Sequence, residues 1–317
     1  MISIIIPFYN SKNYIKEIVC MLNSQTCKDF EAIFVNDGST DYSFDDYSKI
    51  CERFTLINIP TNKGVSNARN IGIENSKGDF ICFIDADDAI GEKYVETICS
   101  LINNIDFDVL LFNYFMQKKG NIIEEKYFEN DSFVEDTNKI IKDVFRGKFF
   151  SSVWRMCVKK KIIQDVKFDC NLTYCEDLDF IINVFNKQVK VYSITDSLYV
   201  YKYNVNSVTK SYDCNMFDKQ IKLHQKIEFQ LKNNQDSELL DCYYGWHLGM
   251  YRFLLKNSGK KNYKDFKNDC DKLYDYFLND NILSKKNSRD FIIMLLKRKK
   301  WKLIFLLCNI VNRMRRN

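Results

Sequence analysis

With 317 residues, 46% of them apolar and 15% aromatic, the chain has ample material for one large domain or for a domain with an extension. Its net charge of +5 originates in residues 285–317, where 11 Lys and Arg face Asp290 alone, which excludes a generally basic protein and suggests a local acidic partner. Twelve cysteines without metal-type pairs, and no apolar leader or run of about 18 apolar residues, predict a cytoplasmic chain without disulfides, signal peptide or membrane span.

Strand-like and helix-like segments alternate along the first part of the chain. The strands are predicted at 3–7, 30–36, 56–59, 80–85 and 109–114, and the intervening helices at 14–25, 41–54, 67–75 and 92–103. This alternation predicts βα crossovers and an α/β fold with a mainly parallel sheet flanked by helices.

The pattern changes twice after residue 114. Residues 118–135 favour a hairpin or a surface loop, followed by helices at 139–145, 152–163 and 177–186 and an extended segment at 189–203. Helical periodicity then runs through 218–233, 237–256, 263–278 and 288–311. We therefore predict an α/β domain over residues 1–210 and a helical extension over residues 211–317.

Three carboxylates, Asp85, Asp87 and Asp88, follow a short apolar strand. The carboxyl end of a strand is where an open α/β sheet presents its ligand site. Clustered carboxylates repel one another unless a cation or hydrogen-bond donors neutralise them, and Mg²⁺ is held by one or two carboxylates together with substrate phosphates. The alternative is a solvated acidic turn that caps the next helix.

Other candidate ligand contacts lie upstream. Pro7 and Tyr9 end the first strand, and the Tyr9 ring could stack on a base or belong to the core. Asp37 follows the second strand, where its carboxylate could accept hydrogen bonds from a base or a ribose, or stabilise a turn. Arg69 lies in a helix opened by glycine and small residues, and could approach a phosphate or pair with an acid.

Four motifs in this order resemble glycosyltransferase family 2, over about residues 1–210. They are Pro-Phe-Tyr-Asn at 7–10, Asn-Asp-Gly-Ser-Thr-Asp at 36–41, Gly-Val-Ser-Asn-Ala-Arg-Asn at 64–70 and Asp-Ala-Asp-Asp at 85–88. The resemblance implies a GT-A fold, which is Rossmann-like, and an inverting enzyme that uses a nucleotide sugar. It further implies that the base is held by Pro7, Tyr9 and Asp37, the ribose by Asp85, and a Mn²⁺ or Mg²⁺ under the donor diphosphate by Asp87 and Asp85.

A fifth motif bears on the proton acceptor. Glu176 and Asp177 resemble the family's Glu-Asp pair at the start of a helix, whose Asp serves as general base. Residues 1–210 contain no histidine, so a carboxylate is the expected acceptor for the proton of an attacking hydroxyl. We assign Asp177 as the base and Glu176 to the acceptor side; the alternative is a pair of acids favoured by the helix dipole.

The last motif, at 199–209, resembles the end of the family's catalytic domain. Lys202 could neutralise the leaving diphosphate, whereas Tyr203 stands where many relatives carry a histidine. Trp154 lies where the family often has an aromatic residue near the acceptor, although core packing is the favoured role for it.

The predicted function is transfer of a hexose or N-acetylhexosamine from a UDP-linked donor to a hydroxyl of a glycan or lipid-linked acceptor, in bacterial surface polysaccharide synthesis. One alternative is a nucleotidyltransferase, which would have a glycine-rich phosphate loop after the first strand. The motif at 7–10 occupies that place and argues against this class. A second alternative is a catalytically silent module of a polysaccharide assembly complex. Such a module would not need Asp85, Asp87 and Asp177, so their presence argues against it.

The C-terminal segment alternates apolar and basic runs. Residues 297–302 hold five Lys and Arg with Trp301, between apolar runs at 291–296 and 303–307. Such a segment could lie on an anionic membrane surface, at the inner face of the cytoplasmic membrane. The alternative is a packed helix with a solvated basic end, and nucleic-acid binding is not expected.

Overall fold

A computed structural model describes residues 1–41, 51–172, 174–203, 216–231, 235–258, 263–279 and 298–304. The chain divides into two compact units. The first consists of Met1–Val144 and Lys148–Ser207, and the second of Phe145–Gly147 and Val208–Asn317. The boundary predicted at residue 210 lies outside the described residues.

In the described part of the first unit, ten strands form one sheet. In chain order they are β1 (Ile2–Phe8), β2 (Phe30–Asp37), β3 (Phe54–Ile59), β4 (Phe80–Phe83), β5 (Ala89–Ile90), β6 (Val109–Lys118), β7 (Asn121–Glu125), β8 (Ser132–Val134), β9 (Met156–Lys159) and β10 (Val191–Lys202). The sheet order is β3-β2-β1-β4-β9-β6-β10-β5, with β7 paired to β6 and β8 to β10. Six strands share one direction, namely β1, β2, β3, β4, β6 and β10.

Five helices accompany these strands along the chain: α1 (Lys12–Asn23), α2 (Val65–Asn75), α3 (Tyr94–Asn104), α4 (Thr137–Phe145) and α5 (Glu176–Phe185). The prediction of an α/β fold with a mainly parallel sheet is confirmed. The cysteines among the described residues carry free thiols.

The centre of the sheet is β1, which is buried along its whole length. It pairs in parallel with β2 on one side and β4 on the other, and its sequence is apolar apart from Ser3, as two covered faces require. Helix α2 packs closely over it: a Cβ on Gly72 would lie 2.3 Å from Cγ2 of Ile5. Glycine at this position therefore allows the helix to approach the strand.

The helix predicted at 152–163 is wrong. That stretch holds a 3₁₀ turn (Val153–Arg155), then β9, then a second 3₁₀ turn (Lys160–Ile162). β9 is antiparallel to both β4 and β6, which flank it and take up its backbone hydrogen bonds. The helix predicted at 41–54 is also wrong at its end, where β3 begins at Phe54; residues 42–50 lie outside the described residues.

The hairpin interpretation of 118–135 is confirmed by the antiparallel pair of β6 and β7. Lys118 faces Asn121, and the two linking residues, Lys119 and Gly120, have φ of 51° and 83°. Positive φ at both central positions is typical of the type I′ turn, whose twist matches that of paired strands.

The described part of the second unit is helical, as predicted beyond residue 210. It contains α6 (Met216–Leu231), α7 (Ser237–Ser258) and α8 (Tyr263–Asn279). His224 and His247 are buried and stack with ring centroids 3.4 Å apart, and the hydroxyl of Tyr243 donates to the carbonyl of His224 at 2.9 Å.

Of the C-terminal segment, the structure describes residues 298–304. Trp301 is buried, its Nε1 donates to Oδ1 of Asp271 at 2.9 Å, and its ring packs edge-on against Tyr274. The rest of the helix predicted at 288–311 and of the basic tail at 285–317 lies outside the described residues. Within the described ranges, no helix is long and apolar enough to cross a membrane.

Candidate active site

Most of the predicted site residues come together at one edge of the sheet. β2, β1 and β4 are parallel neighbours, so the segments that follow them emerge at the same edge. Because β9 runs the opposite way, the segment that precedes it emerges there too. The edge therefore gathers Asp37, Asp85 and the 3₁₀ turn before β9.

Asp37 is buried at the end of β2 and fastens the start of α2. Its Oδ1 accepts a hydrogen bond from the N–H of Lys63 at 2.8 Å, and its Oδ2 from the N–H of Gly64 at 2.7 Å. Gly64, the N-cap of α2, has φ of 91° and supplies a conformation that side chains disfavour. The carboxylate is thus oriented by backbone donors and retains further acceptor capacity.

The loop after β1 exposes an aromatic ring, and this loop lies beside the loop that follows Asp37. Pro7 is buried within β1, whereas Tyr9 is 47% exposed. The two loops are tied together, since Asn10 accepts from the N–H of Thr40 at 2.8 Å and Ser39 accepts from the N–H of Asn10 at 2.9 Å. A planar ligand could stack on the Tyr9 ring without displacing core atoms.

Arg69 is buried and contacts three carboxylates. Its Nη2 lies 3.0 Å from Oδ1 of Asp85, and its Nη1 lies 3.2 Å from Oε1 of Glu176 and 2.6 Å from Oδ1 of Asp177. Burial lowers the pKa of Arg69, but the three negative charges outweigh it and hold the pKa above its ordinary value. Arg69 therefore pairs with acids, the second of the two roles that its sequence context allowed.

Asp177, at the start of α5, is the most perturbed member of this group. Its Oδ2 accepts the N–H of Val153 at 3.2 Å. Burial raises the pKa of Asp177 to about 7; the charge of Arg69 opposes this, while those of Glu176 and Asp85 add to it. A carboxyl group that titrates near neutrality is suited to accept a proton during catalysis.

The acidic loop after β4 is held by Tyr199 of β10. The Tyr199 hydroxyl accepts from the N–H of Asp85 at 3.1 Å and donates to Oδ2 of Asp88 at 2.8 Å. The N–H of Lys202 donates to Oδ1 of Asp88 at 2.8 Å. Burial and the charge of Asp85 raise the pKa of Asp88 to about 8.

Asp87 and Asp85 are the residues that could hold a divalent cation. Asp87 is half-buried, and burial together with the charge of Asp85 raises its pKa. Among the described residues, no group of three or more His, Cys, Asp and Glu side chains is arranged as a metal cage. Two carboxylates, one of them partly engaged by Arg69, fit a Mg²⁺ or Mn²⁺ site that substrate phosphates complete.

Two further candidates lie around this edge. The Lys202 ammonium is 3.0 Å from Oε2 of Glu17 and is partly exposed. Trp154 is buried and lies parallel to the rings of Tyr199 and Tyr201, at 4.5 and 5.7 Å between centroids. Its ring is packed in the core, and its assignment to the acceptor side stays a prediction.

Comparison with known proteins decides the family. The sequence model described as Glycosyl transferase family 2 matches residues 3–159. Residues 3–159 belong to this family. Relatives include EpsJ of Bacillus subtilis (strain 168), an uncharacterized glycosyltransferase that is 28% identical over 66% of this chain, and glycosyltransferase GlyA of Streptococcus pneumoniae serotype 4, which is 31% identical over 66% of this chain. The alignments cover 63% of EpsJ and 31% of GlyA.

Solved structures of S. aureus TarS share the fold of this chain. TarS 1–349 in complex with UDP has a TM-score of 0.72 at 18% identity, and the complex with UDP-GlcNAc has 0.73 at 19%. Each alignment covers 98% of this chain and 91% of that one. The GT-A fold implied by the sequence resemblance is confirmed.

Two parts of the site were not predicted from the sequence: the hydroxyl of Tyr199 and the N–H of Val153. Tyr199 was part of a recognised motif, but nothing in the sequence linked its hydroxyl to Asp85 and Asp88, more than 100 residues away. The N–H of Val153 was missed because nothing in the sequence linked this backbone donor to Asp177, 24 residues further along the chain.

Proposed function

We propose that the chain transfers a sugar from a UDP-linked donor to a hydroxyl group, with inversion at the anomeric carbon. The observation that carries the proposal is the environment of Asp177. This buried carboxyl has a pKa near neutrality and is positioned by Arg69 and by the N–H of Val153. It lies at the sheet edge to which Asp37 and Asp85 belong.

On the donor side, Tyr9 and Asp37 provide complementary contacts for a nucleotide. The exposed ring of Tyr9 offers a stacking surface, and the oriented carboxylate of Asp37 can accept a base N–H or a ribose hydroxyl. The complexes of the TarS neighbours with UDP and UDP-GlcNAc support a UDP-linked N-acetylhexosamine as the first donor to test.

In the proposed mechanism, Asp177 accepts the proton of the acceptor hydroxyl as its oxygen attacks the anomeric carbon. Arg69 keeps the carboxylate oriented and compensates its charge. Attack opposite the leaving diphosphate gives inversion in a single displacement. Asp85 and Asp87 would hold Mn²⁺ or Mg²⁺, which when bound stabilises negative charge on the diphosphate.

For the acceptor we propose a glycan or a lipid-linked saccharide, with the product entering a bacterial surface polysaccharide. The bacterial relatives and the family resemblance support this. We also propose that exposed cations of the C-terminal segment contact an anionic membrane surface at the inner face of the cytoplasmic membrane. Within the described residues, Arg298, Lys299 and Lys302 are exposed, whereas Trp301 is packed against α8.

The test is a donor screen by thermal shift with and without Mn²⁺, because a bound ligand raises apparent stability by mass action. We expect UDP and a UDP-sugar to stabilise the protein more when Mn²⁺ is present. Release of UDP on adding an acceptor would separate a transferase from a silent binding module.

Asp87→Ala should abolish the Mn²⁺ dependence of UDP binding while the fold persists, because it removes the less engaged of the two carboxylates. Glu17→Ala, which removes only the partner of Lys202, is the matched control. Unchanged Mn²⁺ dependence in Asp87→Ala would show that the metal assignment is wrong.

A further inference from the structure

Two adjacent phenylalanines before β9 have opposite environments. Phe149 is 4% exposed, and its ring lies over the guanidinium of Arg155 at 3.8 Å. Phe150 is 49% exposed. Because Phe149 occupies the core position, the backbone presents the Phe150 ring to the outside.

The exposed ring belongs to an ordered aromatic cluster. Phe150 packs against Trp154 at 6.0 Å and Tyr201 at 5.9 Å, tilted by 41° and 42°. Trp154 is buried and parallel to Tyr201, so the ring of Phe150 is supported from beneath. The accessible surface of this cluster consists of Phe150 and the partly exposed Tyr201, which we call the aromatic platform.

Both members of the aromatic platform lie on segments that are hydrogen-bonded to carboxylates of the site. Tyr201 follows Tyr199 in β10, and the hydroxyl of Tyr199 donates to Oδ2 of Asp88 at 2.8 Å. Val153, three residues after Phe150, donates its N–H to Asp177 at 3.2 Å.

We propose that the aromatic platform binds a pyranose ring of the acceptor and holds one of its hydroxyls toward Asp177. The proposal rests on the proposed function, in which Asp177 is the proton acceptor. An exposed apolar ring on a segment that is hydrogen-bonded to Asp177 suits a neutral sugar, whose C–H face can stack on the ring while a hydroxyl donates to the acid.

The same surroundings argue against other occupants. An anionic group offers no proton to Asp177, which in the proposed reaction accepts one from a neutral hydroxyl. An acyclic polyol has hydroxyls for the carboxylates but no rigid C–H face for the ring. The platform should therefore discriminate between cyclic and acyclic acceptors.

The test measures binding by saturation-transfer NMR with methyl β-D-glucopyranoside, methyl β-D-galactopyranoside and methyl N-acetyl-β-D-glucosaminide, with ribitol for comparison. We expect at least one pyranoside to receive saturation, and Phe150→Ala and Phe150→Leu to weaken its binding about 10-fold, which is about 1.4 kcal/mol. Phe150→Trp keeps a flat face and should retain binding. Leu keeps apolar bulk without that face, so pyranoside binding by Phe150→Leu at the wild-type level would overturn the proposal.

Phe133→Ala is the matched control. Phe133 is also about half exposed, at 51%, and contacts Tyr192 at the other end of β10 from Tyr201. It should leave pyranoside binding unchanged, and a loss equal to that of Phe150→Ala would overturn the proposal.

Two further outcomes would overturn it: ribitol binding as tightly as the pyranosides, or no saturation of any pyranoside by wild-type protein. The sugars are tested both with and without UDP. Pyranoside binding is thus measured independently of donor turnover. Failure to release UDP from any UDP-sugar would count against the proposed function instead.

Discussion

In the first unit Arg69 is buried among Asp85, Glu176 and Asp177, whereas in the second unit His224 and His247 are buried ring on ring. The first arrangement keeps charges inside the protein by pairing them. In the second, burial lowers the pKa of His224 to about 3 and that of His247 well below its ordinary value, so both rings are neutral at pH 7.

The two arrangements predict opposite responses of the two units to pH. Asp177 and Asp88 have folded pKa values of about 7 and 8, above the unfolded value of about 3.9, so their contribution to stability is present at low pH and is lost as the pH rises through those values. The histidines have folded pKa values below about 6.5, so their contribution is present above pH 6.5 and is lost as the pH falls.

The largest expected effect concerns the proton acceptor. Asp177→Asn keeps the shape of the side chain but cannot take a proton, so transfer should fall by about 10²- to 10⁴-fold while UDP binding persists. Wild-type activity should rise with pH through about 7, as Asp177 ionises. UDP release assays across this range check both expectations. Near-normal turnover of the variant would shift the role to Glu176, and Glu176→Gln is the paired measurement.

Replacing the buried cation should cost about 3–5 kcal/mol of unfolding free energy, because it leaves three carboxylates uncompensated. Urea denaturation of Arg69→Met measures the loss, which should shrink at low pH as those carboxylates take up protons. Arg146→Met is the control, since Arg146 pairs with Glu238 at the surface and should contribute at most about 1 kcal/mol. Equal losses in the two variants would contradict the role assigned to burial.

Acid should destabilise the second unit selectively. Each buried histidine should remove about 1.4 kcal/mol per pH unit below about pH 6.5. Limited proteolysis with mass spectrometry at about pH 7 and about pH 5 should show fragments of 216–279 before fragments of 1–144. The double variant His224→Gln, His247→Gln should have a flatter pH dependence, whatever its stability at pH 7; an unchanged slope would remove the histidines from the explanation.

The smallest effect per residue concerns the C-terminal cations, at about 1 kcal/mol each near an anionic membrane. Replacing Arg298, Lys299, Lys300 and Lys302 with Gln should weaken sedimentation with anionic vesicles at low salt and leave thermal stability nearly unchanged. Trp301→Ala should lower thermal stability and leave vesicle binding nearly unchanged, because that ring is buried. Removal of residues 285–317 should weaken vesicle binding and also lower thermal stability. Equal binding of the wild-type protein to neutral and anionic vesicles would disprove the electrostatic proposal.

The sequence predicted elements whose pattern is local. The buried strand β1 and the motifs at strand ends could be predicted because apolar periodicity and turn residues act over a few positions. β9 could not be predicted, since its partners β4 and β6 lie far away in the chain. The same limit applied to Arg69, whose contacts with Glu176 and Asp177 span 107 and 108 residues.

The reversed direction of β9 has a consequence for the divergence of this fold. It lets a short connection, residues 148–155, reach the same edge as the loops after β1, β2 and β4. These three strands keep their parallel order in the sheet. Phe149 and Trp154 of this connection are buried, whereas Phe150 is exposed, so Phe150 can be exchanged without disturbing the core or the hydrogen bonds that fasten Asp37 to α2. Under the proposed function, a substitution at Phe150 alone would alter acceptor preference and leave the contacts proposed for the donor in place.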